Sequence, residues 1–183
     1  MSYFILEVHE AYNPPHPTNW HGILDARTLK QKGRSPIPKY TTFPIKHHIQ
    51  TVFTDIILYP CLMVNKKAMQ TIQLYDSSIR FERLILYDAE IKKTCVYYLP
   101  KLEELDVLTA NSRFNRDKSA IDYAEVDGDK IKGKVLFQVA NLNGMCILIH
   151  SDLVESLLRR NTIGIGLKET NTIYLSKTRS DLK

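Results

Sequence analysis

Six of the eight prolines in this 183-residue chain fall between Pro14 and Pro44, and no other feature limits the fold as strongly. Proline fixes φ and has no N–H, so Asn13-Pro14-Pro15-His16-Pro17 cannot form a helix or a central strand. The stretch reads as a long arm of loops around short strands, one of them over residues 40–45. Trp20, Ile23, Leu24 and Tyr40 argue against a solvated linker, because side chains of this kind need somewhere to be buried. A first strand, Tyr3-Phe4-Ile5-Leu6-Glu7-Val8, rich in aromatic and branched residues, precedes the arm.

From residue 54 the pattern turns regular. Residues 55–59 read as a strand. Leu62-Met63-Val64 leads into Asn65, a good helix N-cap, after which Ala68, Met69, Ile72, Leu74 and Tyr75 recur at helical spacing until Asp76-Ser77-Ser78 breaks the run. Residues 79–87 alternate as a half-buried strand, and residues 88–93 turn into a second strand at 94–99. Pro100 suits the first position of a short helix over 100–105. The polar stretch 111–129 reads as a loop with one strand at 121–123. Strands at 134–139 and 145–149 follow. A helix over 152–160, capped by His150 or Ser151, buries Leu153, Val154, Leu157 and Leu158, and strands at 163–167 and 172–175 close the sheet. The strand–helix–strand pattern of 61–72 reappears over 146–157. The expectation is a single α+β domain over 1–183. It has a mixed, mostly antiparallel sheet with two or three helices and two similar strand–helix–strand units. Within it lie an arm (1–50), a regular core (54–175) and a polar tail (176–183).

A chain of this length buries a core without disulfides or metal. Cys61, Cys95 and Cys146 lie in separate apolar runs with no CxxC, which reads as free thiols in a reducing compartment. The first ten residues lack a basic n-region and a long apolar run, and no apolar stretch reaches membrane-spanning length. The cytoplasm is the expected location. The charge of +5 is spread over lysine and arginine pairs, not gathered into a stripe, and so gives no footprint for nucleic acid. The one loop that mixes cations with an aromatic, Arg113-Phe114-Asn115-Arg116-Asp117-Lys118, carries an acid.

No phosphate-loop, HExxH or GxSxG motif is present, and Gly164-Ile165-Gly166 is too short for a dinucleotide loop. Five of the six histidines, His9, His16, His21, His47 and His48, lie in the first 48 residues, with no carboxylate or thiol beside them at ligand spacing. Cys146 and His150 flank a strand and do not meet as a nucleophile and its base. Glu103-Glu104 do not share a face, and Asp127-Gly128-Asp129 reads as a turn. The expectation is therefore no catalytic residue, no metal site and no cofactor. The alternatives are a small enzyme joining the histidine-rich arm to Asp25, Asp55 or Glu82, and a nucleic-acid-binding module.

Four segments together resemble the bacterial polymorphic-toxin immunity proteins of immunity family eleven. They are Tyr3-Phe4-Ile5-Leu6; residues 62–74; Tyr97-Tyr98-Leu99 running to Leu102 and Asp106-Val107-Leu108; and Val135-Leu136-Phe137-Gln138-Val139 with residues 147–149, Ser151, the helix to Arg160 and the strand containing Gly164. The arm over 9–50 has no counterpart in that family. The resemblance implies a protein that binds and neutralises a cognate toxin by direct contact, and it transfers no site residue. The positive net charge favours an acidic or neutral toxin, because complementary potentials steer association. Tyr12, His16, Trp20 and Arg34 on the arm are the expected partner-binding residues, although Trp20, the sole tryptophan, also suits the plug of a small core.

Overall fold

The computed structural model describes residues 2–25, 28–29 and 35–174. Its elements run in chain order as β1 (Tyr3–Val8), β2 (Thr42–Pro44), β3 (Ile56–Ile57), β4 (Met63–Val64), α1 (Lys66–Tyr75), β5 (Arg80–Asp88), β6 (Lys93–Lys101) and β7 (Glu104–Leu105). They continue as β8 (Arg113–Phe114), β9 (Ile121–Tyr123), β10 (Glu125–Asp127), β11 (Leu136–Val139), β12 (Ile147–His150), α2 (Ser151–Arg159), β13 (Ile165–Glu169) and β14 (Asn171–Ile173). Among the described residues this is an α+β protein, with two helices and fourteen strands in mixed, mostly antiparallel sheets. The chain divides into two compact units. One gathers the described residues of Met1–Leu6, Leu102–Glu155 and Leu167–Lys183; the other gathers Glu7–Lys101 and Ser156–Gly166. The expected arm (1–50) and the start of the expected core at 54 fall together in the second of these from residue 7 onward. The expected tail at 176–183 lies outside the described residues.

The unit of Glu7–Lys101 and Ser156–Gly166 is built on the sheet β2-β5-β6-β4-β3. The β5–β6 hairpin keeps one antiparallel register from Arg80↔Lys101 to Asp88↔Lys93, so the predicted turn over 88–93 is present. Period-two geometry puts Leu84, Leu86 and Asp88 on the buried face of β5, with Tyr97 and Leu99 buried on β6. Both β4 and β5 run antiparallel to β6, so β4–α1–β5 crosses over one intervening strand. In α1, Asn65 Oδ1 accepts the Ala68 N–H at 2.9 Å and the Asp76 N–H closes on the Ile72 carbonyl, as its capping residues predict. Ala68, Thr71 and Ile72 are its buried residues. Leu74, expected on that face, is 73% exposed, because two residues past Ile72 is about 200° further round the helix. Tyr75 is exposed as well.

The expected helix over 100–105 is replaced by strand. β6 continues through Pro100 to Lys101, and Glu104 and Leu105 pair in parallel with Gln138 and Val139. Pro100 is tolerated because β4 meets β6 only at Val64↔Tyr98, so no ladder bond on that side needs its missing N–H. Strand pairing here outweighs the helix propensity of Lys-Leu-Glu-Glu.

A polar junction ties three segments of this unit. The Asp55 N–H donates to the Ile163 carbonyl at 3.1 Å, and the Ile163 N–H returns a bond to Asp55 Oδ2 at 2.8 Å. Lys67 Nζ pairs with the same oxygen at 3.0 Å and also donates to the Asn161 carbonyl, and the Asn65 amide bonds to Asp55 Oδ1. Beside it, Gly164 has φ +92°, and a Cβ there would stand 2.7 Å from Thr54 Cβ and 2.8 Å from the Ile56 carbonyl. Both observations require glycine at this point.

The other unit carries the sheet β13-β1-β12-β11-β7. Tyr3, Ile5, Phe137, Val139 and Leu148 form its core with Val126 of β10 and Ile131 of the turn that follows it. The Tyr3 hydroxyl faces the Ile131 and Lys134 carbonyls, and burial pushes it up to about 12. β12–α2–β13 also has one strand, β1, between its two strands, so the repeated pattern in the sequence corresponds to a repeated crossover. His150 caps α2, its Nδ1 accepting the Asp152 N–H at 3.2 Å. Leu153, Val154 and Leu157 are buried; Leu158, expected with them, is 49% exposed at the end of the helix. The stretch 111–129, read as a loop with one strand, folds into the β8–β9 hairpin and into β10, which pairs in parallel with β14.

Candidate partner-binding surface

The proline arm is held by the backbone groups that its prolines leave available. Val52 N–H donates to the Asn13 carbonyl, Lys46 N–H to His16 and Thr18 N–H to Pro44, so residues 13–18 lie along residues 44–52. Pro14, Pro15 and Pro17 are buried, and between them His16 projects outward. The result is a cleft of about 690 Å³ lined by Asn13, His16, Lys46, His48, Gln50 and Tyr59, among others.

A line of rings borders this cleft. His16 lies 5.6 Å from Tyr59; Tyr59 meets the edge of Trp20 at 5.6 Å and 82°; Trp20 stacks on His21 at 4.0 Å. Trp20 is half-buried and Tyr59 is exposed, so the tryptophan contributes to a surface and does not plug a core. Leu24 is fully buried, as the arm's composition predicts, but Ile23 and Tyr40 are exposed, Tyr40 by 77%. Ile49, at the turn following His47-His48, is 92% exposed.

Of the four predicted binding residues, His16 and Trp20 join this surface. Tyr12 meets His9 edge-on at 5.4 Å, one residue from the cleft-lining Asn13. Arg34 lies outside the described residues. The sequence reading missed Tyr59, Ile49 and Lys46. Tyr59 ends the stretch that reads as a strand over 55–59, and only folding brings it to Trp20. For Ile49 a signal was present: an isoleucine alone in the polar run Lys46-His47-His48-Ile49-Gln50 has no periodic partner to share a core with.

His47 and His48 diverge, as adjacent residues should. His47 Nδ1 bonds Asp88 Oδ2 at 2.8 Å, and its Nε2 faces Glu90 at 3.7 Å. Asp88 occupies the buried phase of β5, 1% exposed, and also accepts the Glu90 and Ile91 N–H groups. The hydrogen bond to Asp88 raises His47 above the usual histidine value, and the same bond, with the backbone donors, holds Asp88 below the usual carboxylate value. With carboxylates at both ring nitrogens, the protonated form of this imidazole is favoured over the neutral one. The Asp88 contribution is complete above about pH 4 and fades as pH falls through the depressed value. The His47 contribution is complete below about pH 6.5 and is lost as pH rises through the raised value. The turn over 46–51 should therefore be held most firmly between about pH 4 and 6.5. Amide protection factors at residues 47–51 and 89–91, corrected for the intrinsic rise of exchange with pH, should fall above that window, and His47→Gln should abolish that fall; protection that does not change with pH would refute the assignment.

The other candidates for chemistry have structural partners. Asp25 accepts Thr28 N–H and Oγ1–H and the Gly22 N–H, bonds that keep it below the usual carboxylate value. Asp55 is engaged as described, and Glu82 accepts the Ile37 N–H at 3.2 Å. Glu103 pairs with Lys134, and Glu104 accepts from Gln138. Asp127 accepts the Asp129 N–H within a turn, as read from the sequence. Arg113 and Lys118 lie over Tyr123 and Phe114, the aromatics of their own hairpin. The three cysteines are free; Cys61 and Cys146 are buried, and burial raises the Cys95 thiol above its usual value, away from the reactive thiolate. Among the described residues, no three His, Cys, Asp or Glu side chains come together as a metal site requires. Nor is any helix there long and apolar enough to cross a membrane. No family model and no curated protein matches the sequence.

Proposed function

We propose that this chain is a cytoplasmic immunity protein that binds a cognate toxin protein directly and neutralises it. The arm surface of His16, Trp20, Ile49 and Tyr59 is its docking face. The observation that carries the reading is the exposed apolar and aromatic display on a braced arm. Tryptophan, tyrosine and isoleucine side chains offered to solvent beside a cleft are the anchors that protein partners bury. The proline framing of residues 13–18 supports it further, because a segment already held by backbone hydrogen bonds loses little entropy on association. The resemblance to immunity family eleven supports the activity assigned to that contact.

The test is co-purification of the tagged chain from its native cell, with mass spectrometry of what it retains. The expected result is one stoichiometric protein whose toxicity is suppressed when both are expressed together. Recovery of nucleic acid alone, or a partner whose activity is unaffected, would overturn the reading.

A further inference from the structure

We infer that the arm cleft receives an acidic segment of its protein partner, a carboxylate seated against Lys46 with an adjacent apolar side chain laid on Ile49 and Tyr59. This rests on the partner-binding reading above and names the chemistry of the contact.

The polar groups of the cleft are biased towards donation. Lys46 is exposed and, among the described residues, has no ion-pair partner. His48 Nδ1 accepts the Gln50 N–H at 3.2 Å and stands 3.3 Å from the Asn13 amide nitrogen. That assigns the proton to Nε2, which is left to donate. His16 is exposed, and the amides of Asn13 and Gln50 complete the wall. Among the described residues the lining contains no Asp or Glu. Charge complementarity therefore selects an anionic occupant.

The surroundings select a protein segment over a nucleic acid. A phosphate backbone is held by many cations in a row, each releasing counterions. Here the cleft lining carries one lysine together with Pro17 and Tyr59, and Ile49 and Val52, close along the chain, are exposed, Ile49 by 92%. A peptide that alternates acidic and apolar side chains matches both features.

The experiment uses the full chain and an array of short fluorescein-labelled peptides, read by fluorescence anisotropy. One series alternates glutamate with leucine, a second replaces glutamate by glutamine, and labelled oligothymidylate and inorganic phosphate serve as comparisons. The acidic series should bind at least about tenfold more tightly than the glutamine series, and Lys46→Glu should remove about that factor. Lys46→Met should weaken binding less, and added salt should weaken it in the unmodified chain. Lys46 is exposed, so neither variant threatens folding. Equal binding of the two peptide series, indifference to Lys46→Glu, or oligothymidylate binding as tightly with the same dependence on Lys46 would each overturn the proposal. Its failure is distinguishable from that of the broader reading: a co-purified partner retained by Lys46→Glu but lost with Trp20→Ala refutes the acidic segment and leaves partner binding standing.

Discussion

Asp55→Ala is expected to destabilise the unit of Glu7–Lys101 and Ser156–Gly166 by about 3 kcal/mol. The carboxylate is 13% exposed and serves three groups at once, the Ile163 N–H, the Lys67 ammonium and the Asn65 amide. Alanine leaves the Ile163 donor without its charged acceptor and frees Lys67 from its anchor. Hydrogen bonds to a charged group are each worth about 1.5–3 kcal/mol, and the total stays near the upper figure because Lys67 recovers water. Asp55→Asn, which keeps an acceptor but not the charge, should lose about half as much. Urea unfolding followed by the fluorescence of Trp20, which lies in the same unit, measures both. An unchanged slope with a lowered midpoint is the expected form. A loss below about 1 kcal/mol would show the junction to be an ordinary surface pair.

Trp20→Ala is expected to weaken retention of the protein partner by about 2 kcal/mol or more, roughly thirtyfold, while leaving the unfolding midpoint nearly unchanged. The two effects separate because the ring is half-buried and its recorded ring contacts, Tyr59 and His21, are themselves exposed. A core tryptophan would behave in the opposite way, with truncation costing about 3–5 kcal/mol of stability. Tyr59→Ala should mimic the binding loss, and the double variant should lose less than the sum, since the two rings support one another at 5.6 Å. Unfolding of Trp20→Ala under conditions where the unmodified chain is folded would return this residue to the core.

The parts of this fold that were legible in the sequence are those whose cause is local. Asn65 and Asp76 bound α1 because a side-chain oxygen and a backbone break act within a few residues. The β5–β6 hairpin follows from alternation on either side of a polar turn. The crossover pattern was visible twice because strand and helix periods differ. What failed was decided at a distance. Pro100 and Glu104 look helical until β5 and β11 supply partners. Leu74, Tyr75 and Leu158 look like core residues until the helix faces are oriented. The candidate surface was half legible: prolines and a single tryptophan marked the arm, but nothing near residue 59 announces that Tyr59 meets Trp20. Likewise nothing at Asp88 announces His47. A carboxylate in the buried phase of a strand does imply that some donor must reach it, without saying which.

The pairing of β1 with β12 and β13 also sets an order of events during synthesis. A chain made as far as residue 101 already contains every strand of β2-β5-β6-β4-β3, yet Tyr3, Phe4 and Ile5 still have neither neighbour, because their partners begin at residue 147. A stalled chain with residue 101 clear of the ribosome but residue 147 not yet made should therefore remain cleavable before residue 9. Of the described strands β1 is thus the earliest made and among the last to be covered, and until then its free edge is a point at which a growing chain is open to pairing with the wrong neighbour.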